Sequence, residues 1–464
     1  MNIKIKEKHL FTLLYLLIFL LFIITKKSVV LYGTCIVTLL GLLINALSLE
    51  IAFTFSLMIG SEFVCFINIF ICILYIFVKK KLSKIRYEKS VLTVIAVLLL
   101  IAIFNMVISG GLFNTLFGIV YYSIVLLITI SIRNNFTENK LVDALKLGLI
   151  SQFICGLVII ILGKDFSPGD IHCGTFSDAN YSVIFLIVSL YYIVRFYHFS
   201  GMTIKQVLKE NYIYIGGAIV FIILGSAKNV LAGFALAVIV YAIAKRVTKN
   251  KSRQIISSIL IIYVALFEGI LVMHSQTINS FLMRVAPQEL GIYFYNKEYS
   301  FKYDYFEGTI FEELAGSRML FGYGIGQYGS RAANMFGYNS MYRDDNSINR
   351  FVATHFEEQI LPNYKKYALK YSKEIAEGIR WRSAILTYPF SSIIAFLAEN
   401  GVIGLMFMTY IWGRAGNKSK YRFLVTFLFS ICIFDIYFDH ICVAALIIAL
   451  LLSDKKMENR GMLK

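Results

Sequence analysis

Residues 212–253 read YIYIGGAIVFIILGSAKNVLAGFALAVIVYAIAKRVTKNKSR. Two apolar runs, 212–225 and 229–245, are parted by Gly225-Ser226-Ala227-Lys228-Asn229 and closed by Lys245, Arg246, Lys249, Lys251 and Arg253. Neither run alternates polar with apolar residues as a strand does, and neither carries a polar helical stripe. About 20 apolar residues cross a bilayer, fewer when the ends are polar. The two runs therefore predict a helical hairpin through a membrane. Its basic close predicts a cytoplasmic loop, which puts the tip, with Lys228, on the outer face.

Working outward, the same pattern fills the chain, with spans expected near 9–25, 29–47, 51–78, 90–109, 113–132, 141–162, 180–197, 254–272, 391–412, 423–436 and 438–452 besides the two above. Polar breaks at Ser48, Glu50 and Ser61-Glu62 allow two or three spans within 29–78. Further basic runs, Lys79 to Lys89, Arg414 to Arg422 and Lys455-Lys456, read as cytoplasmic loops. Lys4, Lys6 and Lys8 put the N-terminus on the same side, so parity predicts 12 or 14 spans with both termini inside. The first apolar block lacks a small-residue cleavage site after Thr25 and is expected to stay as an anchor. The expected fold is an all-α polytopic membrane protein: an N-terminal bundle over 1–272, a large helical extracytoplasmic loop over 273–390, and C-terminal helices with a short tail over 391–464.

Composition agrees. Of 464 residues 58% are hydrophobic and only 16% charged, against about a quarter in soluble domains, which excludes a soluble enzyme. The net charge of +17 would point to nucleic acid in a soluble chain, but the cations sit in short loops between apolar blocks, which excludes that partner. The polar stretch 273–390 holds thirteen Lys and Arg against twelve Asp and Glu, so nearly all the excess lies outside it. The seven cysteines mostly lie in apolar blocks without a CxxC, which predicts neither a disulfide framework nor a metal site.

All candidate chemistry then falls on the outer face: Asp165, Asp170, His172, Asp178, Asn180, Ser226, Lys228, the long loop, and Asp435, Asp439 and His440. Ionisable groups at such depths pair or line a wet cavity. Lys228, at a helix start near the headgroup plane, is either a snorkelling lysine or a contact for a diphosphate helped by the helix amides. The loop carries thirteen Tyr, ten Phe and Trp381, a composition for an ordered lid that packs or meets sugar faces. Gly322-Tyr323-Gly324-Ile325-Gly326 lacks the strand and Lys-Ser/Thr ending of a nucleotide loop. It is a structural turn or a close backbone approach to a polar ligand. His355, beside Glu357 and Glu358, can act as a general base. Arg318, Arg380 and Arg382 are among the arginines able to clamp phosphate.

Four segments in this order resemble the O-antigen ligase/polymerase family of membrane glycan-assembly proteins. They are GTFSDANYSVIFLIV (174–188), LGSAKNVLAGFALAV (224–238, with Lys228 where Arg is usual), MLFGYGIGQYG (319–329) and SSIIAFLAENGVIGLMFM (391–408, with Glu399, Gly401 and Gly404 in register). The ligases usually carry a His-Asn-type pair about nine positions before the Glu, and here Phe390 stands there, which favours the polymerase branch.

The resemblance implies a metal-independent glycosyltransferase without cofactor, joining polyprenyl-diphosphate-linked oligosaccharides at the outer face of the cytoplasmic membrane. It implies Lys228 with Arg318, Arg380 or Arg382 on the diphosphate, and His355 or a nearby Glu on the acceptor hydroxyl. Substrate contacts are expected at Asp178, Asn180, Ser226, Gly322, Gly324, Gly326 and Glu399, with Glu399 alternatively fixing the loop-to-helix junction. A flippase and a chain-length regulator are the implied protein partners. Ligase-like transfer to another acceptor and transport of lipid-linked glycan are the competing readings; the absence of an internal repeat and the single dominant loop weigh against transport.

Overall fold

A computed structural model describes residues 2–25, 27–79, 89–109, 115–116, 118–120, 135–162, 174–176, 178–225, 227–274, 308–314, 316–326, 328, 391–435, 437–438 and 440–453. Among these every regular element is helical, because backbone groups in lipid must pair within their own segment. The first half comprises α1 (Asn2–Thr25), α2 (Tyr32–Leu43), α3 (Leu49–Leu57), α4 (Glu62–Lys79), α5 (Lys89–Ser109), α6 (Glu138–Ile161), α7 (Ala179–Phe199) and α8 (Ile204–Glu210). After it come α9 (Tyr212–Gly225), α10 (Lys228–Val247), α11 (Lys251–His274), α12 (Ser317–Phe321), α13 (Ser392–Lys418), α14 (Phe423–Phe434) and α15 (Ile441–Leu452).

Among the described residues five helices, α6, α7, α10, α11 and α13, are long and apolar enough to cross a membrane. The bent pair α8–α9, which turns by 82°, makes up to a sixth, and shorter apolar helices complete the bundle. Of the two or three spans expected within 29–78, the chain forms three helices, α2, α3 and α4. Ser48 caps α3 by accepting from Ile51 N at 3.3 Å, and the buried Glu50 carboxylate reaches Thr137 N at 3.0 Å, at the start of α6. Nine residues rise only about 13 Å, well short of the roughly 30 Å of a bilayer core.

Side-chain registers fix the directions. Gly233 lies against Ile431, and the Tyr241 ring meets Phe423 at 5.5 Å, so α10 runs antiparallel to α14 and its start is level with Phe434. Ser258 meets Thr426 at 2.9 Å and Tyr263 meets Phe429 at 6.0 Å, so α11 runs parallel to α14 and ends on the same side. Ser391 Oγ donates to Cys432 O at 2.8 Å. The chain thus leaves α11 and re-enters α13 at one end of the bundle, the Asp435 end. At the opposite end Lys420 pairs with Glu138 at 2.7 Å, near the basic last turn of α10.

Helices α14 and α15 are buried almost throughout, as helices apolar on every side must be. Each has twelve residues and rises about 18 Å, well short of the roughly 30 Å of a bilayer core.

The span expected over 391–412 is not straight. Gly401 has φ 64° and ψ −174° inside α13. Ser391 bonds Cys432, whereas Thr409 shares Tyr263 with Phe429, only three residues along α14. Eighteen helical residues would rise about 27 Å, so the segment before Gly401 departs from the axis of the segment after it.

Candidate functional site

The break at Gly401 creates the first part of the site. A continuous helix would satisfy the carbonyls of Ala398 and Glu399 from residues 402 and 403. Here they accept instead from Tyr323 N and Gly324 N, both at 2.8 Å. The turn that supplies these donors has Gly322, Gly324 and Gly326 at φ 72°, 113° and 75°, where L side chains are strained. Two of these contacts are backbone on backbone: a Cβ on Gly322 would stand 2.4 Å from Glu399 C, and one on Gly401 would stand 2.1 Å from Leu320 O.

The Glu399 side chain, fully buried, completes the clasp. Gly326 N donates to Oε2 at 2.9 Å and Tyr328 N to Oε1 at 3.2 Å. A buried carboxylate requires such donors, and these anchor the turn to the helix junction. Asn105 of α5 donates to Phe321 O at 2.9 Å, and the Tyr328 hydroxyl meets Thr309 at 2.7 Å. Arg318, partly exposed on α12, lies 3.9 Å over the Tyr323 ring. Gly322, Gly324, Gly326 and Glu399 are thus joined to one another, with Arg318 on the same unit. In this geometry the Glu399 carboxylate ties the 326–328 backbone to α13.

The second part begins at Gly174, with φ 58°. Thr175 N donates to Gln152 Oε1 at 3.2 Å and Thr175 Oγ1 to Met58 O at 2.6 Å, drawing the 174–176 segment into the bundle. Asp178 caps α7, accepting from Asn180 N at 2.6 Å. One turn on, the Tyr181 ring packs on His440 at 3.7 Å and edge-on to Tyr437 at 5.9 Å. Ser392 holds this turn: its Oγ accepts from Tyr437 N at 2.6 Å and Phe438 N at 3.1 Å and donates to Asp435 O at 3.3 Å. The Tyr437 hydroxyl donates to Asp435 Oδ2 at 3.2 Å. Burial, followed by the neighbouring Asp435, Tyr181 and Asp178, pushes the Tyr437 phenol well above its ordinary value. It therefore stays a donor at neutral pH.

Residues from α7, the start of α13 and the α14–α15 turn so converge on one polar cluster, of which the sequence singled out only Asp178 as a contact. Asp435 and His440 were recognisable as ionisable residues between two wholly apolar runs, which was the available signal. Their convergence with Asp178 and Tyr181, more than 250 positions earlier, was not.

Lys228 is the first residue of α10, exposed, and level with Phe434. Its N-cap, Ala227, makes no side-chain capping bond to the first-turn amides. Ser226, His355, Arg380 and Arg382 lie outside the described residues. Among the described residues no three His, Cys, Asp or Glu side chains are grouped as a metal ion would need.

Fold and site together define a membrane protein whose described elements are all helical, with a polar cluster buried at one end of the bundle. No family model, curated protein or solved structure matches the chain.

Proposed function

We propose that the protein is a membrane polysaccharide polymerase that joins polyprenyl-diphosphate-linked oligosaccharide repeat units on the outer face of the cytoplasmic membrane. The observation that carries this reading is the clasp between 322–328 and Glu399. Two of the segments that resemble the O-antigen ligase/polymerase family, some seventy residues apart, form one hydrogen-bonded unit. The other two segments supply Asp178 and Lys228 at the same end of the bundle. In this reading the bundle has 12 to 14 spans, the Asp435 end faces outward, and the loop over 273–390 is extracytoplasmic. The cations at the Lys420 end, Lys245 and Arg246 among them, support that orientation.

An acceptor sugar hydroxyl attacks the anomeric carbon of the donor glycan. The new C–O bond forms as the bond to the lipid diphosphate breaks, and the hydroxyl proton passes to a base. The protein supplies alignment of the two chains and cations for the charge growing on the leaving diphosphate. Lys228 and Arg318 meet the diphosphate, joined by Arg380 or Arg382, and His355 or a neighbouring glutamate orients the acceptor. A flippase would deliver the repeat units and a chain-length regulator would limit the product.

The test is incubation of purified protein with a polyprenyl-diphosphate-linked repeat unit, followed by electrophoresis of the lipid-linked glycan. A ladder of lengthened products is expected. Lys228→Ala abolishes it without altering the elution of the detergent-solubilised protein. A wild-type protein that moves the repeat unit across vesicles but never lengthens it would replace this reading with transport.

A further inference from the structure

We propose that Cys65 and Cys442 are joined by a disulfide in the protein as it is made in the cell. Cys65 lies in the first turn of α4 and Cys442 in the first turn of α15. These turns belong to the Asp435 end, since Cys442 stands two residues after His440. The two Sγ atoms are 2.6 Å apart, and the side chains are 0% and 5% exposed. At that separation no atom can lie between the sulfurs, and closing the bond to about 2.05 Å takes a small side-chain adjustment. Two cysteines nearly four hundred positions apart are thus already paired by the fold.

The second consideration is the compartment, and it rests on the orientation proposed above. If the Asp435 end faces outward, both thiols sit near the surface where protein thiols are oxidised and not kept reduced. During insertion, before α15 is packed in, a disulfide of an extracytoplasmic thiol–disulfide oxidant accepts two electrons and two protons and becomes two thiols. Cys65 and Cys442 each lose a proton and an electron and become one S–S bond. The cross-link ties the N-terminal helices to the last helix of the bundle and closes a loop of several hundred residues, the arrangement that restrains an unfolded chain most in the entropic account.

The experiment places a specific protease site in the connection between Lys79 and Lys89 of the full chain. Cells are treated with N-ethylmaleimide before lysis, and the purified protein is cut and run without reductant. The two fragments are expected to migrate together and to separate on adding dithiothreitol. In Cys442→Ser, and independently in Cys65→Ser, they separate without it. Fragments of the unsubstituted protein that separate without reductant overturn the proposal. A parallel arm labels Lys228→Cys, in a chain with no other cysteine, using a membrane-impermeant maleimide on intact cells. With separated fragments, labelling shows that the cross-link alone has failed, and absence of labelling shows that the orientation has failed with it.

Discussion

Gly401→Ala is the substitution with the most demanding consequence. Gly401 sits at φ 64° and ψ −174°, a region that only glycine occupies freely, and forcing a side chain there costs about 1–3 kcal/mol. The added methyl would also stand 2.1 Å from Leu320 O and 2.5 Å from Phe321 N, which are backbone atoms with no rotamer to change. The turn has to move away, and with it go the bonds from Tyr323 N and Gly324 N, about 1 kcal/mol net each. The two bonds to the buried Glu399 carboxylate go too, at about 1.5–3 kcal/mol for such charged groups. The total is about 6 kcal/mol at the least, against the 5–15 kcal/mol typical of a whole domain. The assay is size-exclusion chromatography of detergent-solubilised protein after graded heating. Gly401→Ala is expected to melt about 10 °C or more below the unsubstituted protein, or to elute as aggregate. Gly216→Ala on α9, where an added Cβ meets no heavy atom within 4 Å, is the matched control and is expected to be neutral or stabilising by up to about 1 kcal/mol. If the two variants melt together, the described contact between Gly401 and the Leu320–Phe321 backbone is refuted.

Glu399→Gln keeps the size of the side chain but sets an NH2 against one of the two backbone donors, so it is expected to cost about 2–3 kcal/mol and to lower polymer yield in step with thermal stability; full stability with lost polymer would give Glu399 a direct chemical part. Tyr437 has its phenol pKa raised in the folded state, so its contribution is complete below about pH 10 and is lost as pH rises above that value. Tyr437→Phe is therefore expected to soften the alkaline fall of the melting temperature, and an unchanged alkaline profile would contradict the burial beside Asp435. At Lys228 a point charge suffices for a diphosphate, so Lys228→Arg is expected to retain most of the glycan ladder that Lys228→Ala loses, whereas equal loss in both would leave a role for the ammonium group that charge does not explain.

What the chain determines by itself is that its apolar runs are helices suited to a membrane. Apolar runs with no polar stripe, such as 212–225 and 229–245, admit only helices that satisfy their own backbones in lipid, and the cations that close them bias the topology. These signals are local, so the hairpin tip at Lys228 and the helix starts near Asp178 and Phe423 were legible. The glycine pattern and Glu399 were visible as unusual residues, but not as partners, since their bonds join positions about seventy apart and depend on a kink that hydropathy does not register. The polar breaks in 29–78 left two or three helices open; the chain forms three, parted at Ser48, which caps α3, and again at 58–61. Only the tertiary structure could bring Asp178, Tyr181, Asp435, Tyr437 and His440 into one cluster, or Cys65 beside Cys442. Long-range packing selects such pairs through the directions and registers of whole helices, and no span of sequence carries that information alone.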